Sequence, residues 1–161
     1  MDYCKYTICL IRAINLVFEI NFYFCAVRIK TKKYRLRDDK TIVGYAEETK
    51  DGILFTGKYP WFWLKSDQKY THVDLSVGIL DKMNRMIYEY DIVSYKINDM
   101  KMRREGIVLW SEEKEAFGIF DVQSQHFTFF FIDDLYLFQN DKLEIVSHVF
   151  NRPTIEAKFN L

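Results

Sequence analysis

Tyr88-Glu89-Tyr90-Asp91 sets two carboxylates two residues apart. On an extended strand such residues point to the same side, so Glu89 and Asp91 could face one metal ion or one basic partner together. The plainer alternative has Asp91 capping the local turn through its side chain and Glu89 solvated, and it is the favoured reading. The other acidic pairs, Asp38-Asp39, Glu47-Glu48, Glu112-Glu113 and Asp133-Asp134, are adjacent and would diverge across a strand. His72, His126 and His148 stand apart in strand-like contexts, where a lone histidine is expected to be a satisfied polar residue. Ser76, Ser94, Ser111, Ser124 and Ser147 lie in no G-x-S-x-G elbow, and no P-loop, GxGxxG, HExxH or EF-hand pattern occurs. Cys4, Cys9 and Cys25 include no CxxC pair and have no histidine near them in sequence, so reduced thiols are expected rather than a zinc site. These residues lead us to expect no catalytic residue, no metal and no cofactor.

Binding is the remaining kind of chemistry. Lys30–Lys40 holds Lys32, Lys33, Arg35 and Arg37, and Lys101–Gly106 holds Arg103 and Arg104. Either stretch could contact phosphate or an acidic protein surface. In the first, Tyr34 and Leu36 alternate with the charges as in a solvated edge strand. Trp61 and Trp63, in Tyr59–Leu64, would anchor a partner if exposed and would be core if buried; the core reading is favoured. Lys+Arg and Asp+Glu both number 23, so the net charge is zero. That balance removes the long-range attraction of a dedicated nucleic-acid binder.

The elements that must position these residues read as short strands. Aromatics make up 17% of the chain, which favours pleated, half-buried surfaces. Thr41–Glu48 and Gly52–Gly57 flank Asp51-Gly52, the clearest hairpin turn in the chain. Val73, Leu75, Val77 and Ile79 alternate with polar residues, a polar corner spans Asp81–Arg85, and Ile87–Ile97 is strand-like again. Asn84, at the tip, best tolerates a left-handed backbone among non-glycine residues. Further strands are expected around Ile107–Trp110, Ala116–Val122, Leu135–Phe138 and Leu143–Phe150. Phe127–Ile132 is expected to be buried on both faces. About eight short strands follow Lys33, with a short tail after Pro153, in the pattern of a small SH3-like barrel or β-sandwich. Ile8–Val27 is apolar but broken by Arg12, Asn15, Glu19 and Asn21. It predicts a helix then a strand outside any membrane.

Gly78–Val93 resembles the most characteristic stretch of the YopX family of small phage and prophage proteins, roughly G-L-x-D-x-x-G-x-x-I-Y-E-G-D-I-V. Gly78, Asp81, Ile87, Tyr88, Glu89, Asp91, Ile92 and Val93 match, and Ile79 replaces Leu. Asn84 stands where the family has its turn glycine. Tyr90 replaces the second glycine, where a positive φ would strain a bulky side chain. Lys33–Tyr45 and Leu143–Pro153 resemble the family's opening and closing strands, so the resemblance covers about residues 33–153. It implies a phage or prophage context and carries no catalytic motif.

The expected organisation is an N-terminal extension, 1–32, suited to oligomerisation, and a YopX-like β domain, 33–161. The expected function is a non-enzymatic accessory protein of the host-cell cytoplasm that binds a host or phage protein, as a counter-defence inhibitor would. The competing reading is a nucleic-acid-binding β-barrel that uses the two basic stretches.

Overall fold

A computed structural model describes residues 32–58, 69–97, 102–132, 135–138 and 142–159. The expectations for the first 31 residues, and for Trp61 and Trp63, lie outside that set. The architecture is mainly β, with two five-stranded antiparallel sheets and one short C-terminal helix. Among the described residues no strand pairing closes either sheet into a barrel.

The first sheet runs β3-β2-β1-β4-β5, from β1 (Lys33–Asp38), β2 (Thr41–Thr49), β3 (Gly52–Gly57), β4 (His72–Leu80) and β5 (Met86–Tyr88). Its tight corners fall where turn residues stand. Asp39 takes a positive φ of 51° between β1 and β2, and Thr49 pairs with Gly52 across Lys50-Asp51. Pairing registers sort the side chains into two faces. Phe55, Ala46, Tyr34 and Leu75 are successive partners across four strands and form one apolar row; Leu36 and Val73 pair in the next. The opposite face carries Arg35, paired with Tyr45 on one side and Asp74 on the other.

In β4 the expected alternation is inverted at its start. Asp74 is fully buried, whereas Val73 and Leu75 are 47% and 41% exposed. The side-chain order is restored further along, where the register shifts between Ser76 and Leu80 and Gly78 takes a φ of 78°. A left-handed residue of this kind is where glycine is needed, and the bulge turns Ile79 into the core.

The second sheet runs β12-β6-β7-β8-β9, from β6 (Asp91–Tyr95), β7 (Arg104–Ser111), β8 (Ala116–Asp121), β9 (Phe127–Phe129) and β12 (Leu143–His148). Val93, Tyr95, Val108, Ile119 and Leu143 join Ile79 and Ile87 of the first sheet in one core, completed by Phe130 and Phe138. Ile92 and Ile107 form a separate cluster with Val149, Ile155 and Phe159. These last residues come from a 3-10 turn (Val149–Asn151) and a helix α1 (Pro153–Phe159), where a mere tail was expected. Pro153 starts this helix, because proline fits a first helical turn whose N–H would be unpaired anyway. Ile155 and Phe159, four apart, then share one face.

Phe127–Ile132 also departs from expectation. It is divided between β9 and β10 (Phe131–Ile132), which pairs with β11 (Leu135–Tyr136). Only Phe130, between the strands, is fully buried; Phe131 and Ile132 are each 48% exposed.

Candidate functional site: a charged seam and its cleft

The resemblance motif forms two corners. At the first, Asp81 is buried and its carboxylate accepts from the Met83 and Arg85 N–H groups at 2.9 Å each. Arg85 adds Nε at 3.0 Å and Nη2 at 2.6 Å. Asn84 sits at the tip with φ 59°. The corner docks on β12 through Ile145 N–H to Asp81 at 3.1 Å and Arg85 Nη2 to the Ile145 carbonyl at 2.7 Å. Burial opposes ionisation of Asp81, but these donors outweigh it and hold the carboxyl below its usual range.

The second corner carries the chain from β5 into β6. Tyr90 has a φ of 66°, at the position where the family resemblance places a second glycine. A bulky residue there costs on the order of 1–2 kcal/mol. Two backbone bonds hold it, Tyr90 N–H to the Val108 carbonyl at 2.8 Å and Val149 N–H to the Tyr90 carbonyl at 2.9 Å. Its ring meets Phe150 edge-on at 5.5 Å, so aromatic packing offsets part of that strain.

Arg35 ties this corner to the first sheet. Its Nε donates to Asp74 at 2.8 Å, its Nη1 to Asp91, and its Nη2 to the Glu89 carbonyl at 2.6 Å. Arg37 donates its Nε to both Asp74 oxygens at 2.9 Å and lies 3.7 Å from the Phe150 ring centroid. Asp91 also accepts from Tyr88 N–H at 2.9 Å, which is the turn-capping role. All four charged groups are almost fully buried. Desolvating each would cost several kcal/mol, so the arrangement is tenable only because every one is bonded.

This geometry decides how the singled-out residues stand. Arg35 and Arg37 are neither solvated nor presented to a partner, since they face inward and are neutralised by Asp74 and Asp91. Lys32 is exposed, and Lys33 pairs with Glu47 at 3.5 Å. Arg103 donates to Ser94 Oγ and the Ser94 carbonyl at 2.9 Å, and to the Lys142 carbonyl at 3.0 Å. Arg104 reaches Asp121 at 3.5 Å. Arg104 pairs with Tyr95 at the far end of β6 from Asp91, about 13 Å away by strand rise. The two basic stretches are therefore not brought together. Glu89 and Asp91 diverge as well: Asp91 goes to Arg35, while Glu89 takes the Trp110 N–H, and burial raises its carboxyl despite that bond.

Sequence reasoning missed Asp74, the member of the seam that binds both arginines. A lone aspartate inside an apolar run, opposite an arginine-rich strand, was the available sign. It missed Asp121 too. That carboxylate accepts from Tyr95 hydroxyl at 2.7 Å and from the Gln123 and Ser124 N–H groups at 2.9 and 2.6 Å. Burial opposes its ionisation, yet these donors draw the carboxyl down to about 2.

Beside the seam a cleft of about 500 Å³ opens between β2, β5 and β12. Ile42, Tyr45, Met86 and Tyr88 line one side, and Ile145 to His148 the other. The Tyr45 and Tyr88 rings lie 5.6 Å apart. Among the described residues His148 Nδ1 is buried without a hydrogen-bond partner, which departs from the expectation of a satisfied histidine. Burial first, then the nearby Arg35 charge, lowers its pKa. Among the described residues no group of three or more His, Cys, Asp or Glu is placed to hold a metal ion, and no helix is long and apolar enough to cross a membrane. No family model matches the chain, and no curated protein matches it.

Proposed function

We propose that this chain is a non-enzymatic accessory protein of phage or prophage origin, related to the YopX family, that acts in the host cytoplasm by binding a protein. Support for the family comes from backbone geometry. Asn84 and Tyr90, the two residues that replace family glycines, both have a positive φ. The fold is read in finer terms as a sandwich-like pairing of two open sheets rather than an SH3-like barrel.

The observation that carries protein binding is the set of exposed apolar residues at the margins of the first sheet's apolar face. Val73 and Leu75 on β4 and Ile53 on β3 are 47%, 41% and 52% exposed, at the two margins of a face whose centre, Leu36, Ala46 and Phe55, is buried. Exposed apolar groups at the margins of such a face are anchors a protein partner can use. The nucleic-acid reading loses Arg35 and Arg37, which are spent on buried aspartates. A host factor, such as a component of a defence system, is the partner this context favours. Affinity capture from host lysate, with and without nuclease, tests the proposal. It predicts a protein retained after nuclease treatment; capture that vanishes with nuclease would return the nucleic-acid reading.

A further inference from the structure

We propose that the outer edge of β3 pairs with the same edge of a second copy of this chain, joining two first sheets across a twofold axis. The pairing register fixes which backbone groups are open. Glu48, opposite Ile53, donates its N–H at 2.8 Å to the Lys32 carbonyl, on the β1 side of β2. Directly opposed residues of an antiparallel pair either exchange both bonds or both turn away, so Ile53 turns its N–H and C=O away from β2. At the other end Lys58 N–H reaches the Val43 carbonyl of β2 at 3.1 Å, and the register is unbroken between. Ile53, Phe55 and Gly57 therefore present their N–H and C=O groups outward, and among the described residues these have no partner. A ladder of alternating donors and acceptors is matched as a set by another extended backbone. β3 also lacks the devices that keep edges apart, since GILFTG carries no charge and no proline and no bulge interrupts it.

The strand is complementary to itself. An antiparallel pair centred on Phe55 sets Phe55 against Phe55, and Ile53 against Gly57 of the other copy. In this register alone all three open residues meet open residues, and each opposed pair exchanges two backbone bonds. Ile53, 52% exposed, then lies over a glycine that has no side chain to obstruct it. The uncharged strand brings no like charges together at the axis. At each end Lys58 falls opposite Gly52 of the other copy and hence next to its Asp51, an opposite charge, and both charged residues are exposed. β4 lies beyond β2 and β1 in the sheet, so Val73 and Leu75 stay open to a different protein, and the dimer does not depend on that reading.

The test is made on the full chain by NMR. A six-residue strand is a small interface, so the dimer should dissociate in roughly the tens-of-micromolar range. In a concentrated mixture of isotope-labelled and unlabelled chain, filtered NOEs should join the Ile53 methyls to Gly57 of the other copy. On dilution by about a hundredfold through the dissociation range, the Ile53, Phe55 and Gly57 amides should exchange about tenfold faster. Leu54 and Thr56, bonded to β2, should keep one rate. Ile53→Pro removes an outward N–H without touching a bond to β2, and Ile53→Lys keeps that N–H but places a charge on the edge. Each should abolish the NOEs and the concentration dependence while Leu54 and Thr56 stay protected. Absence of intermolecular NOEs, outward amides whose exchange ignores concentration, or a dimer undiminished in both variants would each overturn the proposal.

Discussion

Arg35→Met isolates the seam. Methionine roughly preserves the aliphatic volume and removes the guanidinium, with its bonds to Asp74, Asp91 and the Glu89 carbonyl. Asp74 keeps Arg37 as a partner. Asp91 does not fare so well, since it is left 2% exposed with one backbone donor, Tyr88 N–H. Stranding one member of a buried ion pair costs about 3–5 kcal/mol, a large share of the roughly 5–15 kcal/mol that holds a domain folded. At about 2–4 °C per kcal/mol for a domain of this size, the melting temperature should fall by about 10–15 °C. Urea unfolding measures the same loss as a lower midpoint at unchanged slope. The double variant Arg35→Met with Asp91→Asn should recover about 1–3 kcal/mol over the single one, because the stranded charge is gone while the amide oxygen still accepts from Tyr88. A single variant within about 1 kcal/mol of the parent, or a double variant whose costs simply add, would refute the seam as the tie between the corner and the first sheet.

Asn84→Gly should be neutral or mildly stabilising, and Asn84→Val should cost about 1–2 kcal/mol, because a β-branched residue is penalised at φ 59°; equal melting of the two would rule this out. Asp121, held near 2 from an ordinary 3.8, contributes about 2 kcal/mol that is complete above about pH 4 and lost as pH falls through 2, since the unfolded chain takes up its proton first. Asp121→Asn should therefore be less stable at pH 7 and lose less than the parent between pH 4 and 2, as read by urea midpoints; parallel acid profiles would contradict it. Self-association, expected from the apolar composition of residues 1–32, should make the full chain a larger assembly than a chain lacking them in light scattering. A monomeric full chain whose truncation unfolds would end that idea.

Much of the strand order was legible because the turns announce themselves. Asp51-Gly52 and the Asp81–Arg85 corner fall where the sequence places them, and the β2 and β3 limits differ from expectation by one residue at most. The faces were harder to read. Val73 and Leu75 look like core by alternation, yet the first sheet turns its charges inward: Arg35 and Arg37 need buried carboxylates, and Asp74 supplies one from the adjoining strand. Only long-range pairing reveals that exchange, since Arg35 and Asp74 are 39 residues apart. Tyr90 shows the same limit from the other side. A tyrosine reads as an ordinary strand residue, and its left-handed backbone becomes tolerable only through Val108, Val149 and Phe150, which lie far along the chain. The cleft was not legible at all, because its walls come from β2, β5 and β12.

The central claim is that the exposed apolar margin of the first sheet, Val73 and Leu75 on β4, holds a protein partner, and one comparison tests it most directly. The parent chain and a Val73→Glu, Leu75→Glu double variant are used side by side to capture protein from nuclease-treated host lysate, after circular dichroism and melting show both folded. Both positions are exposed, so the charges should leave the fold in place. The account predicts a protein retained by the parent and lost by the variant, and retained by a control in which exposed Met102 alone is changed to Glu. Equal retention by parent and Val73→Glu, Leu75→Glu protein would contradict it.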